Sequence, residues 1–160
     1  MDPSSDIHGL LNLAYFYLKF RPRTRAEVRT YLLKKIKNRF WSETHVELVL
    51  QKLEEQGFIN DKEFVVWFVR GRTNAKQKSE FILRQELVRF GVAKETINAY
   101  FEEHELDEDH LAEAALEGKW RRFSEFDKKE RFEKAASFLS RRGFSFDLIK
   151  KTIEKMEEKE

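Results

Sequence analysis

The chain contains no cysteine, which excludes disulfide bonds, thiol nucleophiles and thiolate metal ligands. Proline occurs twice and glycine six times in 160 residues, a scarcity of chain breakers that suits long helices. No uninterrupted apolar run is longer than six residues, the length of Phe64 to Val69. A bilayer span needs about 20. No basic region followed by an apolar core stands at the N-terminus, so the expectation is a soluble, unprocessed, cytoplasmic chain without a membrane partner.

What is present is charge and aromatic area. Charged residues make up 38% of the chain, beside 15 Phe, 4 Tyr and 3 Trp. Disorder goes with few aromatics, whereas amphipathic helices with charged outer faces need both classes. The sequence therefore reads as all-α. Net charge is +2, but it is unevenly spread. Between Lys19 and Arg39 nine Lys/Arg face the single acid Glu27, a local +8; from Gly57 to Leu106 the signs balance, and from Asp107 onward the sum is −1. A basic N-terminal third points toward a polyanionic partner.

The organising stretch runs from Gly57 to Arg72. Gly57 stops a helix, Asn60 starts the next with Glu63 three residues on, and Phe64, Val65, Trp67 and Phe68 give it an apolar face. Before it, Leu10, Leu11, Ala14 and Leu18 keep a helical period that ends at Pro22. Thr24 and Glu27 form a capping box for a second helix. After a loop near Asn38 to Trp41, Ser42 caps a third with Val46, Val49, Leu50 and Leu53 inside. The pattern then recurs with helices at Lys62 to Arg72, around Phe81 to Val88 before Gly91, and at Ala93 to His104, and again beyond Asp107 with Gly143 at the corresponding stop.

The registers are specific. Leu32, Leu87 and Leu139 align at spacings of 55 and 52, and Val46, Ile97 and Ile149 at 51 and 52. The extra residues of the first unit fall in the Lys37 to Phe40 loop, where insertion costs least. Three tandem three-helix repeats follow, 7–57, 58–106 and 107–158, stacked into an elongated, curved array. Phe58, Phe64, Trp67 and Phe68 are expected as core between the first and second repeats.

Candidate chemistry is sparse. His8, His45, His104 and His110 lack the i,i+4 spacing that sets two ligands on one helical face, so no metal is expected. There is no glycine-rich phosphate loop and no Gly-x-Ser-x-Gly, and the many carboxylates suit i,i+4 ion pairs better than an acid/base pair. No catalytic residue and no cofactor are expected. The functional candidates are cations: Arg21, Arg23 and Arg25, together with Arg70, Arg72, Lys76, Lys78 and Arg84, read as one positive strip facing phosphates or an acidic protein surface. Arg70 and Arg72 also complement the end of their helix, which is the structural alternative.

The series Phe58-Ile59-Asn60-Asp61-x-x-Phe64-Val65-x-x-Phe68-Val69-x-x-Arg72 resembles the hallmark of the RecX family of recombination regulators. The preceding Arg21-x-Arg23-Thr24-Arg25-x-Glu27-Val28-x-x-Tyr31-Leu32 and the later Ile82-x-x-x-Glu86-Leu87-x-x-x-Gly91-Val92 are similar to its other motifs, in the same order. Thr73 to Lys78 replaces the glycine usual in that link, the first loop is longer, and Val65 stands where alanine is common. The resemblance implies tandem three-helix repeats and a non-enzymatic monomer. It would bind the RecA filament on single-stranded DNA and restrain its ATPase, strand-exchange and coprotease activities. The alternative is a stand-alone helical protein that binds single- or double-stranded DNA through the basic N-terminal segment, and a third reading is a helical scaffold for an unrelated protein.

Overall fold

A computed structural model describes residues 7–37 and 40–159. The polar lead Met1 to Asp6 and two residues of the first loop, Asn38 and Arg39, lie outside the described residues. The described residues form helices and no strand: α1 (His8–Leu18), α2 (Arg25–Lys35), α3 (Glu43–Glu55), α4 (Asp61–Ala75), α5 (Glu80–Arg89), α6 (Lys94–Glu103), α7 (Glu108–Phe123), α8 (Lys128–Arg141) and α9 (Phe146–Glu158). The all-α expectation is met.

Most starts have a local cause. The Thr24 side chain accepts from the Glu27 N–H while Glu27 reaches back to the Thr24 N–H, a complete capping box. Asn60 Oδ1 accepts from Glu63 N–H at 3.2 Å, Asp107 from His110, Asp127 from Glu130 and Ser145 from Leu148. Each such cap satisfies an orphan donor of a first turn and is typically worth about 1 kcal/mol. Three of the stops share one geometry. Gly57, Gly91 and Gly143 hold φ of 78°, 82° and 88°, and the N–H groups of Phe58, Val92 and Phe144 close back onto the carbonyls of Leu53, Leu87 and Leu139. This is the six-to-one closure of a left-handed C-terminal stop. One boundary differs from the sequence reading: α4 continues three residues past Arg72, with the Thr73 hydroxyl turned back onto the Val69 carbonyl at 3.0 Å.

The chain divides into two compact units, Met1–Trp67 with Leu87–Tyr100 and Phe68–Glu86 with Phe101–Glu160, so the middle repeat supplies residues to both. In the first unit α1, α2 and α3 enclose Leu10, Ala14, Val28, Leu32, Val46, Leu50 and Leu53, with Ile59 closing the end. In the second, α7, α8 and α9 enclose Leu111, Leu116, Trp120, Ala135, Leu139, Ile149, Ile153 and Met156. A ladder of Asp109–Lys151, Glu113–Lys155 and Glu117–Lys159 runs between α7 and α9, stepping four residues at a time along both. The two helices are thus parallel. Exposed pairs of this kind contribute little, about 0–1 kcal/mol each.

Two of the four expected core aromatics are not core. Phe64 and Phe68 are buried, but Phe58 is 54% and Trp67 43% exposed. Phe64, Val65, Phe68 and Val69 bury the face at i, i+1, i+4 and i+5, and at about 100° per residue Trp67 falls roughly 130° from the centre of that face. Phe58 follows the Gly57 stop and lays its ring beside Tyr15, centroids 5.0 Å apart, leaving the rest open.

Within each unit a helix N-terminus is docked on the turn of the following repeat. In the first, the Thr24 hydroxyl donates to the Phe90 carbonyl at 2.5 Å, and the Arg25 N–H donates to Asp61 Oδ1 at 2.9 Å. In the second, the Ser79 N–H donates to the Arg142 carbonyl at 2.9 Å, and the Glu80 N–H to Glu108 Oε1 at 2.8 Å. Close approach requires the glycine that follows each carbonyl. A Cβ on Gly91 would lie 2.3 Å from the Ala26 Cβ, and one on Gly143 would lie 2.2 Å from Ile82 Cγ1 and 2.4 Å from Ser79 Oγ.

Gly57 has the same φ sign with open space where a Cβ would go, which makes it the internal control. Gly57→Ala is expected to cost about 1 kcal/mol, the left-handed penalty alone. Gly91→Ala is expected to cost at least about 2 kcal/mol, since overlap with Ala26 is added, and Ala26→Gly in the same chain should recover part of the difference. Urea unfolding measures all three; equal losses at Gly57 and Gly91 would show that the docked turn yields freely.

Candidate binding surface

The basic candidates divide between the units. Arg21, Arg23 and Arg25 belong to the first and are engaged there. Arg21 forks onto Glu27 with Nη2 2.5 Å from Oε2 and Nη1 3.2 Å from Oε1, donates to the Pro22 carbonyl at 2.7 Å, and lies 5.4 Å over the Phe90 ring. Arg23 sits 4.1 Å over the Tyr17 ring and 3.6 Å from the same Glu27 carboxylate. Arg25 reaches α3, with Nε 2.5 Å from Glu54 Oε1 and Nη2 2.8 Å from Glu47 Oε2, while Arg29 takes the other Glu47 oxygen at 3.0 Å. Hydrogen bonding to Glu47 raises the Arg25 guanidinium above its ordinary value, and hydrogen bonds from Arg25 and Arg29 lower the Glu47 carboxyl. The two arginines at the start of α2 are thus answered by acids of α3.

The remaining candidates belong to the second unit. Arg72 lies 5.0 Å over Phe68 and 3.6 Å from Glu86, whose carboxylate Lys78 also contacts. Arg72 Nε and Glu86 Oε2 are buried and make no hydrogen bond, so the pair acts through charge alone. Arg84 bonds Glu80 at 3.1 Å and covers the Phe101 ring at 4.7 Å. Arg70 and Lys76 are exposed and form no salt bridge among the described residues.

The motif that organises the chain is therefore held mainly by internal partners. Gly57 stops α3, Asn60 caps α4, Phe64 and Phe68 are buried, and Arg72 pairs with Glu86. Asp61 accepts the Arg25 N–H, and burial pushes its carboxyl above the ordinary aspartate value.

The sequence reading passed over a groove of 790 Å³ on α7 and α8. Lys119, Arg122, Lys134, Arg141 and Arg142 line it with Lys76 from the residue after α4, beside Phe123, Phe126 and Phe138. Burial lowers the Arg142 guanidinium from its ordinary value, and its Nη1 donates to the Gln77 carbonyl at 3.2 Å. The available signal was the interleaving of Lys/Arg and Phe from Lys119 to Arg142, masked by the near-zero charge of the third repeat as a whole.

No described helix is long and apolar enough to cross a membrane, and no described group of three or more His, Asp or Glu is placed to hold a metal ion. Fold and surface define an all-α protein of tandem three-helix repeats.

The family model described as "RecX, third three-helix domain" matches residues 107–153. A Regulatory protein RecX from Prosthecochloris aestuarii is 31% identical over 152 residues, covering 95% of this chain and 96% of the relative. One from Bacillus cytotoxicus is 32% identical over 149 residues, covering 91% of this chain but 53% of the relative. This chain spans about half the length of several of the curated relatives it matches. The crystal structure of RecX from Lactobacillus salivarius shares the fold, with a TM-score of 0.76 at 24% identity over 96% of this chain and 98% of that one. The chain belongs to the RecX family.

The Asp61 contact gives a pH signature. With the folded value raised above that of the unfolded chain, the group's contribution is fully present below about pH 3.9 and is lost as pH rises through the folded value. At neutral pH the charged carboxylate thus weighs against the fold. Asp61→Asn keeps an oxygen for the Arg25 N–H and removes the charge. Its melting temperature is expected to exceed the parent's at pH 7, with the gap closing as pH falls toward about 4. Calorimetry across that range checks it, and a loss at pH 7 or a gap independent of pH would overturn the assignment.

Proposed function

We propose that this chain is a non-enzymatic regulator that binds RecA recombinase filaments in the cytoplasm and restrains their ATPase, strand-exchange and coprotease activities. The single observation that carries the reading is relatedness over nearly the full length of both chains to a protein named Regulatory protein RecX.

A protein that acts by binding changes a filament only through unequal affinity for its states. The three repeats, 7–57, 58–106 and 107–158, are the units of construction in this reading, presented as a monomer. Among the sequence candidates, Arg70 and Lys76 are the contact residues of choice, because an exposed cation without an acidic partner loses no internal pair on meeting a filament. Arg21, Arg23, Arg25, Arg72, Lys78 and Arg84 would first have to give up Glu27, Glu47, Glu54, Glu86 or Glu80. They serve the surface by holding its shape.

The test is ATP hydrolysis by RecA on single-stranded DNA with the purified chain added at stoichiometric and higher amounts, alongside co-sedimentation with the filament. Hydrolysis is expected to slow with increasing chain, and the Arg70→Glu/Lys76→Glu double variant to need about tenfold more protein for the same effect, in line with loss of steering and rim charges. Neither co-sedimentation nor any change in hydrolysis at excess chain would sink the proposal.

A further inference from the structure

The chain has 31 Lys/Arg against 29 Asp/Glu, and ion pairs engage most of the cations singled out by the sequence. A groove on the third repeat gathers several cations that no salt bridge among the described residues engages. Lys76, Lys119, Arg122, Lys134, Arg141 and Arg142 line it, and none forms a salt bridge among the described residues, although Glu130 and Glu133 lie on the same wall. With six cations against two carboxylates the concave surface is net positive, and such a surface focuses its field and collects anions.

The cations stand in two rows. Lys119 and Arg122 are one turn apart on α7, while Lys134 and Arg141 are two turns apart on α8. Between them lie half-buried rings. Lys134 Nζ is 4.6 Å from the Phe126 centroid, Arg142 Cζ is 4.9 Å from that of Phe138, and Phe123 and Phe138 are 5.9 Å apart. An acidic polypeptide would answer the charges and leave the rings unused. Duplex DNA would offer phosphates with its bases already stacked on one another. A single strand has both a charged backbone and free base faces, the pair of features that single-strand grooves use.

We propose that this groove binds a short stretch of single-stranded nucleic acid, with phosphates on the two cation rows and bases over the phenylalanines. The site shares Lys76 with the recombinase reading but does not depend on that reading.

The test is fluorescence anisotropy of a labelled oligothymidylate of about 12 nucleotides, within the range of single-strand site sizes, titrated with the full chain at several salt concentrations. An oligouridylate of equal length forms a second arm. Saturable, salt-sensitive binding to either is expected, and the tighter of the two names the natural source as DNA or RNA. Lys119→Glu/Arg122→Glu should weaken binding about tenfold or more and lower the salt slope by about 1.4, two contacts at about 0.7 each. Lys62→Glu/Lys94→Glu makes the same change in net charge on α4 and α6 and should cost less than about threefold. Phe126→Leu should weaken the oligonucleotide at least about fivefold and leave inorganic polyphosphate unaffected, because only the former has bases to stack. Circular dichroism of each variant confirms that the helices are intact. The proposal is overturned by absence of binding in both arms at low salt, by equal losses in the two double variants, or by polyglutamate binding the groove more tightly than either oligonucleotide. No recombinase is present, so failure here leaves the regulatory reading standing and success does not establish it.

Discussion

The hydroxyl of Thr24 donating to the carbonyl of Phe90, 66 residues away in sequence, is the contact on which the first unit depends. It is made at a helix N-terminus, where backbone donors have no partner of their own, and at a helix C-terminus, where carbonyls have none. Docking one end on the other satisfies both at once, with Asp61 taking the Arg25 N–H beside it. The second unit repeats the arrangement with Ser79, Arg142 and Glu108. A three-helix repeat of about 50 residues buries too little surface to be comfortable alone. What the joint adds is a specific register, because the glycine that permits close approach also has a backbone that side-chain-bearing residues rarely adopt. Sliding by one residue would place a Cβ where Ala26 or Ile82 already stands.

Charge follows a different logic from packing. Along the sequence, Lys19 to Arg39 is strongly basic; in space, α3 lies against α2 and offers Glu47 and Glu54 to Arg25 and Arg29. Segment charge counted along a chain ignores any acid that folding brings in from elsewhere. The error runs the other way in the third repeat, whose sequence is almost neutral. There the carboxylates of α7 are drawn toward the lysines of α9, and the cations on the opposite side remain unanswered in the groove. Neutrality of the sum conceals separation of its parts.

This explains which features were legible beforehand. Helix starts and stops are local: Thr24 with Glu27, Asn60 with Glu63, and the three positive-φ glycines each act within a few residues, so sequence alone exposes them. The repeat was legible because Leu32, Leu87 and Leu139 occupy equivalent buried sites and their spacing is exact enough to count. Trp67 was misjudged because Phe64 to Val69 is apolar throughout, so periodicity alone did not say that the buried face takes Val69 at i+5 in place of Trp67 at i+3. The pairing of Arg21, Arg23 and Arg25 and the groove between α7 and α8 were not legible, since both depend on which side chains meet from different helices.

A consequence follows for how a recognition surface is read in a repeat protein of this kind. The residues that make the series from Phe58 to Arg72 look like a signature are mostly those with internal work: a cap, a buried ring, a carboxylate on a neighbouring helix end, an ion pair whose facing atoms are buried. Such positions are constrained by the fold whatever the protein binds. A partner can be met only by groups whose hydrogen bonds and charges are still open, which here means exposed cations such as Arg70 and those of the groove. Shape and recognition thus draw on nearly disjoint sets of residues. One scaffold can therefore keep its joint and its core while its open charges change, and a substitution that alters binding without moving stability belongs to the second set.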